Sequence, residues 1–205
     1  MPRPKQRTPE LRDRVLAAAV GLLARDGVGA FTARSVAHEA ATSTPAVYEL
    51  FGSKAGLLRA MFFEGFRQLR LRLDTLDSSG DPRADLLALA DAYRSFIREH
   101  PVLAELMFLR PFADFDPGEA ESQAGLSVRE FVISRVQRAI DEGALCGDPL
   151  DIAHVLVALV QGLIAAESSG RLGGNRASAD RRWTLALQAM LDGFGGPQRA
   201  AATPS

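Results

Sequence analysis

Apolar residues recur every three to four positions along almost the whole chain, and no stretch of four to eight residues alternates between apolar and polar as a half-buried strand does. The pattern predicts an all-α protein. The first predicted helix begins after Thr8, which can cap it, with Pro9 at the first helical position, and Gly27 ends it. Its apolar face is formed by Leu11, Val15, Ala18, Ala19, Leu22 and Leu23.

Two short helices and a longer one are predicted next. Thr32 is placed to cap a helix that runs to about Ala40, and a turn of three residues, 41–43, leads to the next helix at Thr44. Ser53 is placed to cap the fourth, longer helix. Two short helices joined by so tight a turn, the second opening with small polar residues, are typical of a helix-turn-helix.

The polar stretch 74–82 is the best internal break in the chain. Beyond it the pattern predicts five more helices, at about 83–99, 101–110, 124–142, 149–168 and 178–194. The segments 111–125 and 168–175 are rich in helix breakers and are predicted to be loops. We therefore expect a first domain over 1–72, a second over 73–196 and a disordered tail over 197–205.

The charges are unevenly distributed between these parts. Residues 1–72 carry 12 basic and 6 acidic side chains, a net charge of +6, whereas the rest of the chain carries 12 basic and 19 acidic ones, a net charge of -7. A basic first third suggests that this part meets a polyanion. The arm formed by Arg3, Lys5 and Arg7 would reach a phosphate or the minor groove, or else be solvated.

Several classes of protein are disfavoured by the composition. One cysteine, Cys146, cannot form an intramolecular disulfide, and the three histidines are too scattered for a Cys/His metal cage. The N-terminus has basic residues but no apolar segment typical of a signal peptide. The longest apolar stretch, 152–166, is shorter than the ~18 residues of a spanning helix and contains His154 and Gln161. We expect a cytoplasmic protein without a metal or a membrane span.

Motifs of common enzyme classes are also missing from the sequence. It contains no Gly-x-Ser-x-Gly, no Walker Gly-Lys-Ser/Thr, no dinucleotide glycine fingerprint and no His-Glu-x-x-His. The glycines at 170–174 resemble a phosphate loop only by their number. The sequence therefore predicts a protein that is not an enzyme and uses no cofactor.

The run 31–58 carries the most specific pattern of the chain, formed by Thr32, Val36, Ala37, Ala40, Ser43, Val47, Tyr48, Phe51, Ser53, Lys54, Leu57 and Leu58. It resembles the DNA-binding domain of TetR-family transcriptional regulators. Four positions depart from that pattern: Pro45 and Ala46 stand where Gly and Thr are frequent, Thr42 replaces a usual Val, and Leu50 replaces an aromatic residue or His. These departures affect base-reading positions more than the scaffold.

Two later segments, 100–108 and 157–167, resemble the ligand-binding and dimerising half of one subgroup of the same family. In that subgroup a Trp-His-Gly triplet is usual where this chain has Val160-Gln161-Gly162. The resemblance implies an all-α regulator that binds a double-stranded DNA operator as a homodimer and responds to a small-molecule effector, usually as a repressor. The alternative is a helical protein-interaction module that keeps the helix-turn-helix only as a scaffold.

Eight residues are the candidates for contacting DNA. The resemblance makes Tyr48 a phosphate donor, and Lys54 adds a cation at a helix N-terminus, where an anion is already favoured. Thr32 and Ser43 would cap helices and face phosphates as well. The base-edge candidates are Thr44, Pro45 and Ala46, since methyl groups suit contact with thymine. Arg34 would contact a base or a phosphate, or be solvated.

Aromatic residues concentrate in the middle of the chain. Most must be core, but a regulator of this family needs a cavity, so a subset is expected to line an apolar pocket. Our candidates for contacting the effector are Phe66, Phe96, Met107, Phe108 and Phe131. Their chemistry predicts an apolar or amphipathic effector.

The predicted helix 149–168 is apolar nearly all round, which predicts burial on both sides. The last helix carries an apolar stripe at coiled-coil-like spacing that offers it a partner in a second copy. The predicted dimer interface comprises Leu156, Leu163, Trp183, Leu187, Met190 and Phe194. The alternative is that the two helices pack only on each other within one chain.

Overall fold

The computed structural model describes residues 8–108, 123 and 125–195. In this part of the chain there are nine helices and no strand, which confirms the predicted all-α fold. They are α1 (Pro9–Ala30), α2 (Ala33–Glu39), α3 (Thr44–Phe51), α4 (Lys54–Asp74), α5 (Pro82–Glu99), α6 (Pro101–Phe108), α7 (Leu126–Asp141), α8 (Pro149–Ser168) and α9 (Arg176–Gly193). The basic arm 3–7, most of the predicted loop 111–125 and the predicted tail 197–205 lie outside the described residues.

The helix boundaries follow local chemistry. The Thr8 hydroxyl accepts a hydrogen bond from the Leu11 backbone N–H at 3.2 Å, as expected for a cap. Gly27 adopts a φ of 73°, so the regular helix breaks there, and one more turn follows to Ala30. The last helix begins two residues earlier than predicted, because Asn175 and Ser178 form a capping box.

The described residues divide into two compact units. The first contains those of 1–70 and 97–126, so α6 is grouped with the N-terminal helices, and the second contains those of 71–96 and 127–205. The sequence instead placed everything after residue 72 in one contiguous second domain. Packing of α6 against α1 is the contact that the sequence pattern did not reveal.

Each unit has its own apolar core. In the first unit the most deeply buried side chains belong to α1, α2, α4 and α6, among them Val15, Val36, Met61 and Leu106. In the second unit Leu86, Ile152, Leu156, Trp183 and Leu187 are buried between α5, α8 and α9.

A buried carboxylate holds the loop before α5. Asp85 is 8% exposed and accepts hydrogen bonds from the Ser79 backbone N–H at 3.0 and 3.1 Å. Arg138 of α7 forms an ion pair with it, and Arg135 donates to the Leu76 carbonyl at 2.7 Å. Loop and helix are thus joined by charged groups inside the second unit.

Candidate nucleic-acid interface

Helix α2 is fixed at its start by a side-chain cap. The Thr32 hydroxyl accepts from the Ser35 backbone N–H at 3.1 Å, as the sequence predicted for a cap. The buried face of α2 carries Val36 and Ala37, which leaves Arg34 exposed on the opposite side. Arg34 is therefore free to face a ligand outside the unit.

The turn between α2 and α3 is tight. Ala41 adopts a φ of 49°, which is rare for a residue with a side chain and costs roughly 1–2 kcal/mol. The Thr42 backbone N–H donates to the Ala37 carbonyl at 2.9 Å and closes the turn. This geometry sets the angle at which α3 leaves α2.

Helix α3 presents a short exposed face. The Ser43 hydroxyl caps it by accepting from the Ala46 N–H at 3.3 Å, and Val47 anchors the other side in the core. Thr44 and Ala46 are half-buried. The residues exposed on α3 are Pro45, Tyr48, at 48%, and Glu49.

The connection between α3 and α4 leads directly to a lysine, Lys54, at the start of α4. The Ser53 hydroxyl accepts from the Gly56 N–H at 3.0 Å, and a Cβ added at Gly56 would overlap the carbonyl oxygen of Phe51. Only glycine permits so close an approach. Lys54, the first residue of α4, is exposed, with its Nζ 5.7 Å from the centre of the Phe31 ring.

Helix α1 braces the end of α2, and its Arg12 guanidinium lies 5.4 Å from the centre of the Phe51 ring of α3. Arg14 donates from Nε to the Ala40 carbonyl at the end of α2 at 3.0 Å. Arg25 forms two parallel hydrogen bonds to the Glu39 carboxylate, at 3.2 and 3.1 Å. These contacts are not evident from the sequence, because arginines on an exposed helix face are usually solvated.

The predicted effector residues fall into two groups. Phe66 and Phe108 lie in the first unit with ring centroids 5.9 Å apart, and a Cβ added at Gly65 would lie 2.5 Å from the Met107 Sδ. Phe96 and Phe131 belong to the second unit, where Phe96 is buried. The structure brings three of the five together within one unit, and their role in effector binding stays a prediction.

One pocket in the second unit has a volume of about 350 Å³ and polar walls. Its lining residues are Asp81, Arg83, Ala84, Leu87, Gln188, Leu191 and Asp192. None of the predicted effector residues lines it, and an ion pair between Arg83 and Asp192 occupies its edge.

Three of the predicted dimer residues are core side chains. Leu156, Trp183 and Leu187 are only 1–2% exposed within the single chain. The prediction that they contact a partner is therefore wrong, since no surface is left on them to bury. Leu163, Met190 and Phe194 are half-buried. The exposed apolar positions of α8 and α9 include Val155, Ala158, Gly162, Ala165, Leu185 and Ala189.

Two further features concern other classes of function. Among the described residues no group of three or more His, Cys, Asp or Glu side chains could hold a metal ion. In the same residues one helix, α8, is long and apolar enough to cross a bilayer by length and composition, and it carries core side chains of the second unit.

A capped helix, a tight turn and a second capped helix with an exposed face define a helix-turn-helix DNA-binding protein, a transcriptional regulator. Residues 15–61 match the family model of bacterial regulatory proteins of the tetR family. Residues 86–190 match that of the tetracyclin repressor-like C-terminal domain. The chain belongs to the TetR family of transcriptional regulators.

Solved structures share this fold. A protein with unknown function from Rhodococcus sp. RHA1 is 28% identical, with a TM-score of 0.80 over 94% of this chain and 100% of its own. A bacterial regulatory protein of the tetR family from Rhodococcus RHA1 is 21% identical, with a TM-score of 0.70 over 93% and 100%. A TetR variant from Acinetobacter baumannii AYE, in complex with minocycline, is 21% identical, with a TM-score of 0.60 over 88% and 93%. No curated protein matches the chain.

Proposed function

We propose that this regulator is a cytoplasmic repressor that binds its operator as a homodimer and is released by a small apolar or amphipathic effector. The observation that carries the proposal is the exposed face of α3, whose start is capped by Ser43 and whose end contacts Arg12 of α1 through the Phe51 ring. The first turn of α3 would enter the major groove, while α2 crosses the phosphate backbone.

The contacts to DNA divide into two kinds. Tyr48 and Lys54 are exposed and would donate to phosphates, together with the caps Thr32 and Ser43. Pro45 at the centre of the α3 face would read a base edge through apolar contact, with the half-buried Thr44 and Ala46 on either side of it. Arg34 of α2 would add a further contact to a base or phosphate.

The homodimer would form through the exposed side of α8 and α9. Val155, Ala158, Gly162 and Ala165 follow each other on α8 at spacings of three or four, which places them on one face. Small residues let two helices approach closely, and Leu185, 63% exposed on α9, adds apolar area beside them. A second copy of the chain is the proposed partner, with upwards of ~1,000 Å² buried.

The effector would act by shifting a population of dimer conformations. An apolar ligand that binds more tightly to one conformation favours it, and in this conformation the two α3 helices no longer match successive major grooves. The aromatic cluster of Phe66 and Phe108 beside Met107 is the proposed contact surface in the first unit, and Phe96 and Phe131 are proposed contacts in the second. That a TetR variant of the same fold is described in complex with minocycline supports a small-molecule effector.

The proposal is tested with the purified full chain. A selection from random duplexes would yield the operator, and fluorescence anisotropy on operator and scrambled duplexes would measure the preference. Apolar and strongly polar metabolites would then be screened for a rise in melting temperature, which binding produces by mass action, and for release of the operator. Absence of binding to any duplex at low salt contradicts the proposal, and hits confined to strongly polar metabolites contradict the effector class.

A further inference from the structure

Glu49 is an acidic residue on the exposed side of α3, where a DNA-binding helix would be expected to carry neutral or basic groups. It follows Pro45 by four positions. Since successive residues of an α-helix are about 100° apart, Glu49 lies about 40° around the axis from Pro45 and Tyr48 about 60° on the other side. In angle around the helix axis, Glu49 is therefore closer than Tyr48 to Pro45.

Glu49 has an interaction partner within the protein, and toward DNA its carboxylate would act in one of two ways. Between the two phosphate backbones of a groove it is repelled, and it then weakens binding to every sequence. If it instead accepts a hydrogen bond from a base, it makes the binding depend on that base. The exocyclic N4 amino group of cytosine is a donor in the major groove, whereas O6 and N7 of guanine are acceptors that repel a carboxylate.

We propose that Glu49 reads the N4 amino group of one cytosine in each operator half-site. The inference rests on the proposed operator binding and adds a residue that determines its specificity. The Ser43 hydroxyl caps the start of α3, and the Arg12 guanidinium of α1 lies over the Phe51 ring at its end, so the Glu49 carboxylate is presented from a fixed helix. Apolar contact at Pro45 and a carboxylate one turn later would together read two neighbouring base pairs.

The test uses the full chain with three variants on duplexes derived from the selected operator, each with one C·G pair replaced by T·A. The unmodified protein should lose about tenfold in affinity when one particular C·G pair of a half-site is replaced, as expected for the loss of one base contact. Glu49→Ala should bind both duplexes equally well. On a further duplex with A·T in place of that C·G pair, Glu49→Gln should bind more tightly than on C·G, because an amide pairs with N6 and N7 of adenine.

Glu105→Gln is the matched control, since it removes the same charge from an exposed position on α6 of the same unit. It should keep the preference for C·G. The inference is overturned if Glu49→Ala retains the C·G preference. It is also overturned if both Glu49 variants bind all duplexes more tightly with unchanged preferences, which would mean that the carboxylate only repels phosphates. If the unmodified protein enriches no duplex at all, the proposed function itself fails.

Discussion

Arg94 of α5 and Glu167 of α8 form a two-point ion pair, with Nε to Oε2 at 2.8 Å and Nη2 to Oε1 at 2.6 Å. Asp180 of α9 lies 2.8 Å from the same Nη2, and the guanidinium stacks on the ring of Trp183 at 4.7 Å. Arg94 is only 7% exposed. One cation thus joins three helices of the second unit, two of which carry the proposed dimer face.

Replacing Arg94 by methionine should strongly destabilise the protein. Removal of one partner of a buried ion pair leaves the other charge uncompensated and costs about 3–5 kcal/mol. We expect the lower end of this range, because Asp180 is half-exposed and water screens it. Urea unfolding followed by circular dichroism would measure the difference.

Arg176→Met is the control for this experiment. Arg176 is 77% exposed and lies 3.9 Å from Asp180, so its loss should change the free energy of unfolding by less than about 0.5 kcal/mol. Equal urea midpoints for Arg94→Met and the unmodified protein would show that the buried pair does not stabilise the unit.

Asp85 should make the stability of the protein depend on pH in the acid range. Burial alone raises the pKa of its carboxyl, but the hydrogen bonds from Ser79 and Arg138 outweigh burial and hold the pKa below its ordinary value. The ionised form is therefore favoured in the folded state. Its contribution to stability is complete above the unfolded pKa of about 3.9 and is lost as the pH falls toward the lower folded value.

The comparison for this prediction is Asp85→Asn against the unmodified protein, by urea unfolding at pH values from 7 to 3. The difference in the free energy of unfolding should be constant near neutral pH and shrink once the pH falls below about 4. The lowered pKa of Glu64 acts equally in both proteins and cancels. If the difference in the free energy of unfolding is the same at pH 7 and pH 3, the charge of Asp85 does not contribute to stability.

The sequence could predict the helices that begin with a local cap. Thr8, Thr32 and Ser43 each cap a helix through a hydroxyl that accepts from the backbone N–H three residues later, so the information lies within one turn. Asn175 acts in the same way, but the sequence pattern predicts that this helix begins at about 178 and not at Arg176. Local capping chemistry is therefore enough to predict where these helices begin and in what order they follow each other along the chain.

The dimer face could not be predicted in the same way. Apolar residues surround α8 on nearly all sides, so periodicity does not tell which side faces the core of its own chain. Trp183 and Leu187 were assigned to the outside, whereas both are buried and Leu185 is exposed. The ion pair between Arg94 and Glu167 could not be predicted from the sequence for another reason. The two residues are 73 positions apart, and only the fold brings them together.

Leu185→Glu should separate the proposed dimer without unfolding the chain. The side chain is 63% exposed in the single chain, so a charge there costs little until a partner covers it. Sedimentation should show a dimer for the unmodified protein and a monomer for the variant, with loss of operator binding. Leu71→Glu, a charge on another exposed leucine, is the control and should remain dimeric. A monomer for the unmodified protein at micromolar concentration would contradict the dimer.

Lys54→Ala should flatten the salt dependence of operator binding. Each lysine contact to a phosphate contributes about 0.9 to the slope of log affinity against log salt concentration, and a dimer has two copies, so the slope should decrease by roughly 2. Affinity should fall about equally on all sequences, because phosphate contacts carry no base information. Changes at Thr44 or Ala46 should instead alter the preferred base by about 1–3 kcal/mol and leave the slope nearly unchanged.

Fluorescence anisotropy across a salt series, on operator and scrambled duplexes, separates these two effects. Arg176→Ala removes an exposed cation from the second unit and should keep the original slope. Because Lys54 also lies over the Phe31 ring, its loss costs stability, and the melting temperature of the variant is needed to show that it is folded. Equal slopes for the folded Lys54→Ala variant and the unmodified protein would show that Lys54 does not contact a phosphate of the operator.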